Sequence, residues 1–234
     1  MKYSFLIIFA MFMAQCTNAK TTEIRASYEK TLVIPESVNS IQDPRIRQLA
    51  INQLQNRKNT FQMVFNGTKY GFNEESIQNN KLNVNSDNSV FIDFATKEMS
   101  VQKMILDRSY IVRQDYIQPQ WAIDPSQVRL INGKRCMRAD SKSENGVTAW
   151  FCDAIPCHMG PAGYGGLPGL IMELTTPSDK YTLREFEVLP TAQTIIQQAQ
   201  KGKQVSPEEF DRVRANKIKE IGGNTDSGVH IIKM

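Results

Sequence analysis

The chain has 234 residues, enough for one domain or two small ones, with 41% hydrophobic and 22% charged residues. That balance excludes a disordered tail and an integral membrane protein. A net charge of +4, from 28 basic and 24 acidic residues, is too small for a dedicated nucleic-acid binder. Two histidines, His158 and His230, are too few for a histidine-built metal centre and leave little material for a Ser-His-Asp site.

Lys2 and the uncharged apolar run from Tyr3 to Ala14 have the form of a signal peptide. A membrane-spanning helix needs about 20 such residues. Thr17 and Ala19 are small residues placed for cleavage after Ala19. The expected organisation is a signal peptide over 1–19, one β-rich domain over 20–221 and a loosely ordered tail over 222–234. Cys16 raises lipidation as an alternative, but a lipoprotein signal places a small residue where Gln15 stands. No later segment has transmembrane length, so the mature chain is expected in an exported compartment, the periplasm or the outer envelope.

Along the mature chain, period-two alternation dominates. Ile24, Ala26 and Tyr28 alternate first. Asp43-Pro44 then reads as an N-cap with proline at the first helical position, followed by Ile46, Leu49, Ala50 and Leu54 at helical spacing. Arg45, Arg47, Arg57 and Lys58 lie on the other face, read as a solvated face. Phe61, Met63 and Phe65 run into Asn66-Gly67, and Thr68, Tyr70 and Phe72 follow. A two-residue turn there would pair Phe65 with Thr68 and Met63 with Tyr70. Val90, Ile92 and Phe94 alternate, as do Tyr110 and Val112. Asn132-Gly133 and Asn145-Gly146 mark two more hairpins. Leu170, Met172 and Leu174 form a strand pattern, and so do Thr182, Arg184, Phe186 and Val188. Ser206-Pro207-Glu208-Glu209 is a capping box opening a second helix, with Phe210, Val213 and Ile218 as its stripe. Gly222-Gly223 stops it, and Val229–Ile232 could add an edge strand. The fold class expected is mainly β, a β-rich α+β fold: a curved antiparallel sheet or half-barrel meander with two amphipathic helices.

If Cys16 leaves with the signal, Cys136, Cys152 and Cys157 remain, an odd number for an oxidising compartment. A two-residue loop at Asn145-Gly146 would set Ala139 opposite Cys152 and turn Cys136 to the other face. On that register Cys152 and Cys157 are the candidate disulfide, since Pro156 lets the chain turn between them.

The segment from Cys152 to Ile171 is the densest in chemistry. Cys157, His158 and Met159 offer thiolate, imidazole and thioether, a soft set that suits Cu(I). Neighbouring residues cannot all face one ion in an extended strand, although a turn could gather two. A Cys–His nucleophile at Cys157 or Cys152 would need a base in reach and a third group to orient it, and adjacency alone supplies neither. Gly160, Gly163, Gly165, Gly166 and Gly169 fit neither a P-loop nor a dinucleotide fingerprint, because no Lys-Ser/Thr follows and the segment leads into a strand. They read as a conformationally demanding turn, with Pro168 fixing one φ. The residues thus assign no catalytic group and no cofactor. Trp121 and Trp150 read as core or rim residues.

Gly166-Leu167-Pro168-Gly169-Leu170-Ile171 spells the motif of the GLPGLI family of exported bacterial proteins. The likeness extends to Gly133 through Cys136 to Ala139, to Ala149-Trp150-Phe151, to Ile155-Pro156 and to Gly160-Pro161. Glu208-Glu209-Phe210 resembles a late helix of that family. The resemblance covers about Trp121 to Thr175 and implies export and a shared β-rich fold more than an activity. By analogy of fold with periplasmic lipoprotein carriers, Phe61, Met63, Phe65, Tyr70 and Phe72 could line an apolar concavity or simply pack the core. The function expected is a non-catalytic binding or accessory protein of the envelope, for an apolar ligand or a protein partner. A copper-type metal binder and an envelope hydrolase are the alternatives.

Overall fold

The structure, a computed structural model, describes residues 22–74 and 77–222. The signal-peptide reading, with Cys16 and the cut after Ala19, lies outside those residues, as does the edge strand expected at Val229–Ile232. The described chain is β-rich. It begins with β1 (Glu23–Leu32), then α1 (Glu36–Asn39), α2 (Pro44–Gln55) and the hairpin of β2 (Asn59–Phe65) and β3 (Lys69–Asn73). Next come β4 (Lys81–Val84), β5 (Val90–Asp93), β6 (Glu98–Ile105), β7 (Arg108–Asp115), β8 (Trp121–Ile131), β9 (Lys134–Ser141) and β10 (Thr148–Cys152). The described residues close with β11 (Leu170–Thr175), β12 (Asp179–Leu189), β13 (Ile195–Gln198), β14 (Lys203–Val205) and α3 (Pro207–Gly222).

Twelve strands form one open sheet in the order β14-β7-β6-β5-β3-β2-β1-β12-β11-β10-β9-β8. It is antiparallel except where β14 joins β7 in parallel, and β13 pairs β4 in parallel as a separate ribbon. The meander is not continuous. β1 enters between β2 and β12, so the earliest strand joins two wings of the sheet.

Both faces of the central strands are covered. On one face Phe61, Met63 and Phe65 of β2, Tyr70 and Phe72 of β3, and Val90 and Ile92 of β5 are buried in the main core. Phe61 and Phe72 stack with ring centroids 4.8 Å apart. On the other face Val64 and Phe91 meet Leu82, Val84 and Ile196 of the β4–β13 ribbon. Each such large apolar side chain contributes about 1.5–3 kcal/mol by leaving water. Gly71 permits that second layer, since a Cβ there would lie 2.6 Å from Ile196 Cγ2.

The helix signals hold locally. Asp43 accepts from the backbone N–H of Arg45 at 2.8 Å and of Ile46 at 3.3 Å, capping α2. Ser206 accepts from Glu209 N–H at 3.1 Å. The reciprocal half of that capping box is diverted, because Glu209 pairs with Lys203 at 2.7 Å. α1, a single turn, was not in the sequence pattern. Phe210 packs against Tyr110, Val112 and Val205.

The apolar stripe of α2 packs less than its spacing implies. Ala50, Ile51 and Leu54 are half-buried, while Ile46 is 57% and Leu49 60% exposed. Leu49→Gln is therefore expected to change unfolding stability in urea by less than about 0.5 kcal/mol. A core leucine truncated to alanine would cost about 2–5 kcal/mol.

Candidate functional site

The candidate residues read from the sequence lie between the end of β10 and the start of β11, residues 152–171. Instead of a tight β10–β11 turn, the chain leaves the wing of β8 to β12 and lies over the face of β3 and β5. A 3-10 turn, Pro161–Gly163, reaches farthest. A Cβ at Gly163 would lie 3.1 Å from Val90 Cγ1 and 3.7 Å from Ile92 Cδ1.

Polar groups aimed from the sheet hold the segment in place. Tyr70 donates its hydroxyl to Gly160 O at 2.7 Å and accepts from Gly163 N–H at 3.0 Å. Tyr28 donates to Ile171 O at 2.7 Å. Trp121 Nε1 donates to Gly165 O at 2.8 Å. Within the segment, Gly160 N–H donates to Tyr164 O and Gly166 N–H to His158 O. Burial pushes the Tyr28 and Tyr70 hydroxyls well above the ordinary tyrosine value, so both stay protonated donors. These anchors were missed in the sequence. The available signal was a tyrosine on an apolar strand face, whose hydroxyl needs a partner once buried.

Gly166 through Ile171 is the tightest part. Gly166 takes φ +90°, a conformation that favours glycine. Leu167, Leu170 and Ile171 are buried, and Pro168 is exposed. Gly169 passes so close to β10 that a Cβ would meet the Cys152 carbonyl oxygen and the Asp153 Cα. The motif is thus a packed turn that returns the chain to the sheet.

The soft-ligand trio alternates in exposure. Cys157 and Met159 are buried at 2% and 0%, while His158 between them is exposed. The Cys157 thiol donates to Met159 O at 3.7 Å, and burial pushes it up to about 12. The His158 ring lies nearly perpendicular to Phe65 and Phe94, with ring centroids 4.7 and 6.1 Å apart, and partial burial lowers its pKa. Only a thiolate ligates or attacks well, and this thiol is held protonated. Among the described residues, no group of three or more His, Cys, Asp or Glu is arranged to hold a metal ion.

The three cysteines among the described residues, Cys136, Cys152 and Cys157, are separate thiols and all are buried. The register that favoured Cys152 with Cys157 is not the one observed. Ala139 lies opposite Ala149 and Met137 opposite Phe151, so the β9–β10 loop spans residues 142–146 instead of two residues. Ser141 causes this, since its hydroxyl accepts from Ser143 N–H and Glu144 N–H and starts the turn early.

The aromatic face, which could have lined a concavity, is buried in the core: this segment covers it at Phe65 and Tyr70, and Tyr181 of β12 covers it at Phe61 and Phe72. The surface depressions mix polar and apolar lining residues. One of about 600 Å³ is lined by Asn83, Asn85, Gln102, Gln197, Gln198 and neighbours. Another, of about 270 Å³, lies among Arg25, Ser27, Gln62, Glu185 and Glu187. No helix among the described residues is long and apolar enough to cross a membrane.

No curated protein matches the chain. A family profile described as "Protein of unknown function (Porph_ging)" matches residues 14–173, from before β1 to within β11. That span takes in the sheet's central strands and the whole segment laid across them. Since the match covers more than half of the sequence, the chain belongs to the Porph_ging family.

Proposed function

We propose that this protein is exported to the bacterial cell envelope and acts there as a non-catalytic binding or accessory protein for another envelope protein. We also equate the Porph_ging family with the GLPGLI family, on the motif at residues 166–171 inside the matched span. One observation favours a protein partner over an enclosed apolar ligand: the apolar face is already buried within the chain, in part by the 152–171 segment at Phe65 and Tyr70 and in part by Tyr181 of β12 at Phe61 and Phe72. Part of the exposed apolar surface lies at the sheet edge. β8 is a terminal strand, and along it Ile123, Val128 and Leu130 are 43%, 43% and 73% exposed. An edge strand with unpaired backbone groups and apolar side chains can accept an extended segment of a partner by strand addition. Pro125 and the bulge between Asp124 and Val128 interrupt that edge, which limits pairing to short segments.

Native mass spectrometry of protein purified from the envelope, without added metal or reductant, tests this. The expected species begins at Lys20 and carries either nothing or a protein partner. A retained lipid-like mass would overturn the reading in favour of a carrier. A retained metal mass that disappears in Cys157→Ser would overturn it in favour of the copper-type alternative. A chain that keeps Met1, or begins at an acylated Cys16, would remove the proposed cut after Ala19.

A further inference from the structure

We infer that Cys136 and Cys152 are a cross-strand pair built to close as a disulfide between β9 and β10, with Cys157 left as a free thiol. The ladder between these strands runs Thr148 to Asp140, Ala149 to Ala139, Trp150 to Arg138 and Phe151 to Met137. One further step sets Cys152 opposite Cys136. Ser141 N–H donates to Val147 O at 2.9 Å, which makes 141 and 147 a hydrogen-bonded pair. Hydrogen-bonded and non-hydrogen-bonded pairs alternate along an antiparallel ladder. Counting from Val147, Cys152 and Cys136 fall on a non-hydrogen-bonded position. Cα atoms at such positions are about 4.5 Å apart and side chains are closest, inside the range that a disulfide bridges.

The surroundings agree. Cys136 and Cys152 are 0% and 1% exposed. Burial first, and then the neighbouring Cys152, push the Cys136 thiol up to about 11. Cys157 keeps other company, its thiol donating to Met159 O at 3.7 Å. A cover lies over the pair's face of the sheet. Arg129 of β8 is the register partner of Cys136. Its guanidinium stacks 4.0 Å over the Trp150 ring and bonds Glu173 at 2.6 Å, so it reaches from β8 across β9 and β10 to β11. Lys180 holds the same carboxylate at 3.2 Å.

Closure proceeds by thiol–disulfide exchange with a disulfide donor, an envelope dithiol oxidase in the cell or glutathione disulfide in a refolding mixture. One cysteine thiolate attacks a donor sulfur, forming a mixed disulfide and releasing the first donor thiolate. The second cysteine thiolate attacks the mixed disulfide and releases the other. The two cysteines lose two protons and two electrons, and the donor is reduced to two thiols. Because the folded pair is buried, closure belongs to folding, before Arg129 settles over it.

Occurrence in the cell rests on the export reading, but closure during refolding does not. The experiment is therefore run on two samples: mature protein isolated from the envelope with alkylation at lysis, and unfolded, reduced protein refolded with reduced and oxidised glutathione. Each is digested without reduction. The expected product is a Cys136–Cys152 linked peptide, about 2 Da lighter than the two thiol peptides, with Cys157 alkylated. Cys157→Ser should leave the link intact. A link through Cys157, or three alkylated cysteines after glutathione refolding, overturns the inference. A link in the refolded sample with three alkylated cysteines in the cellular one sustains the pair and overturns export. Arg129→Ala is expected to speed reduction of the native protein by dithiothreitol about tenfold or more; an unchanged rate removes the cover from the account.

Discussion

Gly169→Ala is expected to lower the thermal midpoint by about 6–12 °C, the shift that about 3 kcal/mol produces in a chain of this size. The substitution adds one methyl group. Its new Cβ would lie 2.1 Å from the Cys152 carbonyl oxygen, 2.5 Å from the carbonyl carbon and 2.7 Å from Asp153 Cα. All three atoms are backbone, so no rotamer change relieves the overlap. Either the segment lifts from the sheet or β10 bends away from β11. Both outcomes uncover Leu170 and Ile171, which are fully buried. Gly133→Ala is the matched comparison. Gly133 has φ +71° with nothing within 4 Å of where the methyl group would stand, so alanine there meets only the left-handed backbone penalty. That penalty is about 1–2 kcal/mol. Thermal unfolding followed by circular dichroism separates the two. If Gly169→Ala unfolds no earlier than Gly133→Ala, the close approach does not hold the segment down.

Three Asn-Gly pairs show how far local sequence carries the fold. Asn132-Gly133 forms the expected two-residue turn, with φ 50° and 71° and Ile131 opposite Lys134. Positive φ at both positions is what a type I′ turn demands. At Asn66-Gly67 the asparagine side chain accepts from Thr68 N–H and Lys69 N–H. That moves the turn one residue on, and Phe65 pairs with Tyr70 instead of Thr68. The displacement changes the register by two, an even number, so the aromatic face survives. At Asn145-Gly146 the Ser141 turn changes the register by three, an odd number, and the faces exchange. The same dipeptide therefore gave a correct hairpin, a slip that keeps the faces, and a slip that exchanges them. Side-chain bonds spanning two or three residues decided which.

The candidate site was legible in part. Glycines at 166 and 169 read as a demanding turn, and the structure gives each its reason, a positive φ and a backbone contact. The journey of the segment across the sheet was not legible. It depends on Tyr70 meeting Gly160 from 90 positions away and Tyr28 meeting Ile171 from 143. Period-two patterning shows that a face is buried, but not what buries it. The insertion of β1 between β2 and β12 is hidden for the same reason, since every strand in the meander looks able to pair with its neighbour in sequence.

Glu23→Gln is expected to cost about 3 kcal/mol at neutral pH, because it removes charge-assisted bonds from a buried carboxylate. Glu23 opens β1 and is fully buried. One oxygen accepts from Gln193 N–H at 2.8 Å and Thr194 N–H at 2.7 Å. The other accepts from the Thr194 hydroxyl at 2.6 Å and from Arg25 Nε at 2.7 Å. Glutamine must turn its NH₂ toward one of these donor pairs, leaving donors facing donors. The segment after β12 would then lose its tie to the central strand. Burial raises the Glu23 pKa, but the bonds from Thr194, Gln193 and Arg25 outweigh it and hold the carboxyl below the ordinary glutamate value of 4.5. A depressed folded-state pKa contributes stability that is fully present above the unfolded value and lost as pH falls through the folded one. The stability gap between wild type and Glu23→Gln should therefore be constant from pH 7 to pH 5 and narrow below about pH 4.5. Urea unfolding across that range measures it. A gap that stays constant down to pH 3 would show that the substitution acts through shape alone, and that the Glu23 charge does not fasten the segment after β12 to β1.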